Sequence, residues 1–345
     1  MPTNVNDAFN AFINEIIAIS PNQKDTAKAS KSYLFDQVDK LAEDGNIPTI
    51  VRGKHLQFGS FYRGTKNTPL DDIDVIVCYH ALNSVSMNEN SWDNIKLIVN
   101  GNDKHLLSLC DKKYKPYSYG EYEYELNSNK VKNNLLSNLQ KIENYGKAEL
   151  HARGEAVTLS LKSYDWTFDI VPAFHYEKNN ETIYVIPNGN GKWKKTNPKK
   201  EMERVKENDK LFYNMPSKVI RLVKYWNKRG KMPTITSYVL ETAVLDFFDT
   251  LMIPKEDQRL WPDLLFRDAL KYISNNISKP INDSKGIEGN INNLSYMERF
   301  KIQERAGNDY RKACNAIKAE LEEKDMKKSI NVWRDIFGDE FPAYE

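Results

Sequence analysis

Strand-like runs in this 345-residue chain fall at 55–58, 73–78, 148–151, 157–162 and 167–171, and none is found beyond about residue 200. From there on the apolar periodicity is helical, at 218–228, 237–249, 262–275, 295–323 and 328–337. Early strands followed by late helices do not make a doubly wound sheet, so the pattern predicts an α+β fold with a mainly antiparallel or mixed sheet joined to a C-terminal helical domain. The links at 152–155 and 163–165 are short, which makes the last three strands an antiparallel meander. Two further helices, at 4–19 and 25–41, precede the strands. We place the domain boundary near 200, giving 1–200 as the core with its N-terminal helices and 201–345 as the helical domain, although the N-terminal helices could cross to the second part. Residues 92–99 and 130–144 read as helices within the core, on either side of a Tyr/Glu-rich patch at 114–125. In the long helix, Ala306, Tyr310, Ala313, Ile317 and Leu321 form one stripe, a core face.

Composition excludes several classes. The formal net charge is +2, so no general polyanion-binding character follows from it. Cys78, Cys110 and Cys314 are far apart and lack CxxC or Cys/His spacing, which argues against a zinc site or a disulfide framework and suits a reducing compartment. No stretch approaches the roughly 20 apolar residues of a membrane span, and the expected location is the cytoplasm. The densest basic run, GNGKWKKTNPKK at 189–200, reads either as a solvated loop between domains or as the lysine-lined edge of a phosphate-handling cleft.

The chemistry concentrates in LQFGSFYRGTKNTPLDDIDVIV, residues 56–77. Asp72 and Asp74 are two apart, so on a strand both side chains leave one face while Asp71 leaves the other. Two carboxylates on one face repel each other, and a divalent cation between them resolves the repulsion. Magnesium suits such an all-oxygen set and keeps positions for substrate phosphates. Two-metal phosphoryl transfer needs one more carboxylate. Asp169 in WTFDIVPAF is the candidate, because it interrupts an apolar strand, whereas Asp165 lies in the preceding turn. Upstream, Gly59 allows close backbone approach to a phosphate and the Ser60 hydroxyl can add to the amide donors. There is no GxxxxGK[ST], so this is not a P-loop. On the residues alone, acids at a strand entrance leading to a buried strand remain an open alternative.

The Gly-Ser, Asp-x-Asp and later single Asp resemble the nucleotidyltransferase superfamily related to DNA polymerase beta. More narrowly, QFGSFYRGT, DDIDVIV, FDIVPAF, IPNGNGKWKKTNP, RLVKYWNKRG, SYVLE and VWRDIFGDEFP, in that order, resemble the bacterial cyclic-oligonucleotide synthases of the cyclic GMP-AMP synthase-like group (CD-NTases). That resemblance covers most of the chain from about residue 55. It implies a polymerase-beta-like nucleotidyltransferase core joined to a helical domain, and synthesis of a cyclic second messenger in anti-phage defence. By the same resemblance, Gly59 and Ser60 grip the incoming triphosphate, while Asp72, Asp74 and Asp169 hold two Mg²⁺ ions, with Mn²⁺ as a substitute. Lys224 and Ser237 would reach the donor phosphates, and the Tyr238 ring would lie against the base. The implied partners are nucleoside triphosphates such as ATP and GTP, an effector that binds the product, and a regulatory protein or nucleic acid activator, with no membrane.

Other readings stay open at this level. Lys224 lies on an amphipathic helix two residues before Trp226, where a lysine commonly snorkels over apolar surface, and Tyr238 could be a packed tyrosine. Linear oligonucleotide synthesis or template-independent addition to RNA uses the same carboxylates. A silent nucleotide- or RNA-binding scaffold would tolerate loss of one of them, yet all three are present. The chain lacks the cysteines for the zinc insertion found in animal DNA sensors of the superfamily.

Overall fold

The computed structural model describes residues 2–81, 85–115, 120–229, 233–256 and 258–345. Residues 116–119 of the Tyr/Glu-rich patch and Gly230 of RLVKYWNKRG lie outside the described residues. The chain forms two compact units, one of Pro21–Tyr62 and Leu70–Lys199, the other of Met1–Ser20, Arg63–Pro69 and Lys200–Glu345. The chain passes from the first of these units to the second after Lys199, and residues 1–20 and 63–69 cluster with the later helices.

The first unit begins with α2 (Pro21–Glu43), α1 (Val5–Ala11) belonging to the other unit. Its strands are β1 (Leu56–Phe58), β2 (Asp72–Cys78), β3 (Val85–Ser91), β4 (Asn94–Val99), β5 (Cys110–Tyr114), β6 (Tyr122–Leu126), β7 (Glu149–Arg153), β8 (Ala156–Ser160), β9 (Thr167–Lys178), β10 (Glu181–Pro187) and β11 (Trp193–Thr196). Among them stand α3 (Gly59–Arg63), α4 (Lys104–Ser108) and α5 (Ser128–Leu139). The main path of the sheet runs β1-β2-β9-β10-β11-β4-β6-β5, with β3 on β4, and β7 reaching β9 through β8. Among the described residues only β2 and β9 pair in parallel, and the meander β7-β8-β9 is antiparallel as expected.

Beyond Asp74 every residue of β2 is buried, and Phe168, Ile170, Val171 and Ala173 of β9 are buried beside it. Near-continuous apolar runs are what a strand covered on both faces requires. In α5, Val131, Leu135 and Leu139 recur at four-residue spacing and are buried, while Asn127 caps the helix by accepting from the amides of Asn129 and Lys130.

Two sequence expectations change here. Residues 92–99 are not a helix: β4 and β3 form an antiparallel hairpin across Trp92–Asp93. Ile95, Leu97 and Val99 are buried at a two-residue interval, the period of a strand, whereas β3 is almost wholly exposed and carries no apolar pattern. The basic run at 189–200 is likewise structured. The Asn188 side chain accepts from the amides of Asn190 and Lys192, Gly189 and Gly191 adopt positive φ, and β11 follows with Trp193 fully buried. Its lysines are engaged: Lys192 with Glu125, Lys194 with Glu155 at 2.5 Å, and Lys195 with Glu89.

The second unit contains α1, a single π-helical stretch at Phe12–Ile16, and α7 (Met215–Lys228), α8 (Ser237–Asp249), α9 (Pro262–Asn276), α10 (Tyr296–Leu321) and α11 (Met326–Phe337). It also takes most of α6 (Pro198–Leu211), a highly charged helix absent from the sequence reading. Its core is aromatic: Phe9 meets Trp333 edge-on at 4.9 Å, and Phe266 lies 4.6 Å from Phe337. Trp226 is buried, and its indole donates to Asp309 at 2.8 Å. Ser295 and Glu298 form a reciprocal capping box that starts α10. The stripe expected along α10 is buried at Ala306, Ala313 and Ile317, but Leu321 at its end is exposed. Among the described residues no helix is long and apolar enough to cross a membrane.

Candidate active site

The register of β2 and β9 places the acids. Asp74 and Asp169 are direct partners in the parallel pair, and Asp72 pairs with Thr167. Side chains alternate along strands, so Asp72, Asp74 and Asp169 share one face, with neighbouring strands about 4.8 Å apart. The Asp71 carbonyl accepts from the Thr167 amide at 3.0 Å, which ties the entry of β2 to that of β9. All three carboxylate residues are half-buried at the mouth of the otherwise covered strands.

Two local contacts shape this face. Thr158, opposite Asp169 on β8, donates its hydroxyl to Asp169 Oδ1 at 3.0 Å. On the other side β1 pairs with β2 so that Phe58 faces Asp74, and the chain then turns into α3 at Gly59 with φ +73°. A Cβ at Gly59 would fall 1.7 Å from Asp74 Oδ2, so only glycine fits beneath that carboxylate. Ser60 follows in the first turn of α3 and is half-buried. Among the described residues no three His, Cys, Asp or Glu side chains converge as a ready metal-binding cluster. The donor set nevertheless fits a hard divalent cation in kind: oxygen-only carboxylates brought to one face of adjacent strands.

The candidates from the helical part lie in the second unit. Lys224 is buried on α7, its ammonium paired with Glu241 of α8 and donating to the Thr65 carbonyl at 3.2 Å. The head group does not return to water as that of a snorkelling lysine would. Ser237 opens α8 and is exposed, and Tyr238 is half-buried.

Sequence reasoning missed what surrounds them. Arg63, the last residue of α3, grips Glu241 with two nitrogens at 3.0 and 3.2 Å and Glu201 of α6 with a third at 2.8 Å. Lys285 pairs with Glu201 at 3.2 Å, so alternating charges run Lys224, Glu241, Arg63, Glu201, Lys285. Burial disfavours the Glu241 carboxylate, but Arg63 and Lys224 together outweigh it and hold its pKa at about 2. Glu201 moves the other way: burial raises it more than Arg63 and Lys285 lower it. Burial lowers Lys224 more than Glu241 raises it, and the nearby charge of Arg63 adds to the lowering. Arg63 and Glu241 stood within the motifs GSFYRGT and SYVLE, and an acid in the apolar run of α8 was the available signal. Nothing local marks Glu201 or Lys285.

Over 98% of its length the chain superposes on Escherichia coli MS115-1 CdnC from its complex with HORMA-deltaN, with a TM-score of 0.67, 15% identity and 98% of that chain covered. It likewise matches the Vibrio cholerae cyclic AMP-GMP synthase DncV, a prokaryotic cGAS homologue, at a TM-score of 0.64 and 11% identity, with 98% and 97% of the two chains covered. The fold is therefore the mixed α+β nucleotidyltransferase core of these proteins with a helical C-terminal part. No family model matches the chain. In sequence it is 34% identical to a probable cyclic nucleotide synthase of Bacillus cereus (strain VD146), with all of both chains covered. The chain belongs to this family, the bacterial cGAS-like cyclic nucleotide synthases, and is a nucleotidyltransferase.

Proposed function

We propose that this enzyme joins nucleoside triphosphates and closes the product into a cyclic di- or trinucleotide, a cytoplasmic second messenger for anti-phage signalling. The observation that carries the reading is the β2–β9 register, which puts Asp74 beside Asp169 and Asp72 on the same face. These three residues would hold two Mg²⁺ ions, or Mn²⁺ in their place. Bound there, the ions would offset charge on the transferring phosphate and acidify the attacking ribose hydroxyl.

The protein's own part is positioning. Gly59 and Ser60 receive the triphosphate, Asp169 stands nearest the acceptor 2′- or 3′-hydroxyl, Lys224 and Ser237 serve the donor phosphates, and Tyr238 lies against the base. The hydroxyl oxygen attacks the α-phosphorus, the bond to pyrophosphate breaks, and a second transfer within the linear product closes the ring. Two relatives support this order: CdnC has been solved with ATP, and DncV with the linear intermediate 5′ pppA(3′,5′)pG. The CdnC complex with HORMA-deltaN supports a protein regulator for this chain, with an effector receiving the product.

The test uses all four nucleoside triphosphates with Mg²⁺ and scores products that resist both phosphatase and exonuclease. The wild type is expected to give such products. Asp72→Asn with Asp74→Asn should fold normally and lose at least about 10³-fold of the rate, since metal-assisted charge stabilisation is worth several kcal/mol. Undiminished product from that variant would end the metal assignment, and phosphatase-sensitive products from the wild type would favour linear synthesis.

A further inference from the structure

The segment between α9 and α10 contains a small loop closed on itself. The Asp283 amide donates to the Gly289 carbonyl at 2.7 Å, and Asn282 and Asn290 form an isolated antiparallel bridge. Inside, the Asp283 carboxylate accepts from the backbone amides of Lys285, Ile287 and Glu288, each at 3.0 Å. An aspartate fixed by three amides is a rigid acceptor.

Tyr238 is fastened to this loop. Its hydroxyl donates to Asp283 Oδ1 and lies 3.0 Å from Ser284 Oγ. The ammonium of Lys285 sits 4.2 Å from the centre of the Tyr238 ring, over its face. Lys285 is itself buried and anchored, with Glu288 at 2.8 Å, Glu201 at 3.2 Å and Asp283 at 3.5 Å. A desolvated cation over an aromatic face is attracted by the ring quadrupole, and here it occupies one face of a ring whose edge is already tethered.

We propose that Lys285 is a positioning residue for nucleotide use: it backs one face of Tyr238 while Asp283 and Ser284 hold the hydroxyl, so that the ring offers its other face to a nucleobase. This rests on the assignment of Tyr238 to the base made above. It adds that the stacking surface is preformed and that a charge network, reaching back through Glu201 and Arg63 to Lys224, ties the base-facing ring to the phosphate-facing lysine. Preorganisation of this kind favours binding because the ring need not be ordered when the base arrives.

The experiment compares binding of non-hydrolysable ATP and GTP analogues with binding of inorganic tripolyphosphate, in the full chain. Lys285→Met keeps the apolar stem and removes the charge. It is expected to weaken the nucleotide analogues about tenfold, leave tripolyphosphate unchanged, and raise KM with kcat altered less than twofold. Lys285→Arg, which retains a cation for the ring, should recover most of the loss. Tyr238→Phe, which loses only the tether, should give a smaller loss of the same kind. In a Tyr238→Ala background, Lys285→Met should add nothing further.

Unchanged analogue binding in Lys285→Met, or equal weakening of tripolyphosphate, would overturn the proposal. So would losses that add fully in the double variant. If instead Tyr238→Ala alone leaves analogue binding intact, the assignment of Tyr238 to the base has failed, whatever Lys285 does. Should Lys285→Met not fold, Lys285→Gln takes its place, with the same two ligands and the same deciding outcomes.

Discussion

In the strand-bearing unit, Asp74 stands beside Asp169 because main-chain hydrogen bonds set the register of β2 and β9. In the helical unit, Glu241 and Glu201 are joined by side-chain reach, chiefly the fork of Arg63. The first arrangement gathers like charges on a frame indifferent to the identity of those side chains. The second gathers opposite charges that are themselves the frame. Altering a carboxylate on the sheet should therefore remove chemistry and spare stability, whereas altering the buried charge network should remove stability first.

The harshest trial of that contrast is Arg63→Met, which leaves buried Glu241 and half-buried Glu201 sharing fewer cations. Breaking a buried ion pair costs about 3–5 kcal/mol, so urea denaturation should show a loss of that order. A stability within about 1 kcal/mol of wild type would erase the distinction between the units. The same network predicts a pH dependence. The Glu241 carboxylate is depressed from 4.5 to about 2 in the folded protein. Its contribution is thus fully present above about pH 4.5 and is lost as the pH falls toward 2. Glu241→Gln should flatten the stability profile across that window.

Gly59→Ala probes the sheet side at smaller cost. A positive φ penalises any Cβ by about 1–2 kcal/mol, and the new methyl group must displace the Asp74 carboxylate. The expected result is a modest fall in melting temperature with a far larger fall in product formation. Parallel losses in both would mean that Gly59 serves only the turn.

The mildest change is Lys194→Ala. Its pair with Glu155 is partly exposed, so stability should move by less than about 1 kcal/mol and product formation by less than twofold. A marked drop in nucleotide use would restore the reading of 189–200 as a phosphate-handling edge.

How far the sequence could be read follows the same divide. The strands β2, β8 and β9 and the helices α7 to α11 were legible because each buries a regular apolar face. The hairpin of β3 and β4 was not, since one of its strands is almost wholly exposed and mostly polar and the other is short enough to pass for a helical turn and a half. Charged α6 gave no periodicity to find. On the sheet, the shared facing of Asp72 and Asp74 followed from strand geometry alone, and Asp169 was singled out as an acid in an apolar strand; its pairing with Asp74 needed the register. The Arg63 network was invisible because its members come from positions 63, 201, 224, 241 and 285, which only folding brings together.

The partition of the chain has one more implication, for how such enzymes diversify. The polypeptide passes from one compact unit to the other after Ser20, Tyr62, Pro69 and Lys199. A recombination event at residue 200 would import a helical unit without its own first helix and without the segment that bears Arg63. Neither unit can therefore be inherited as one uninterrupted cassette.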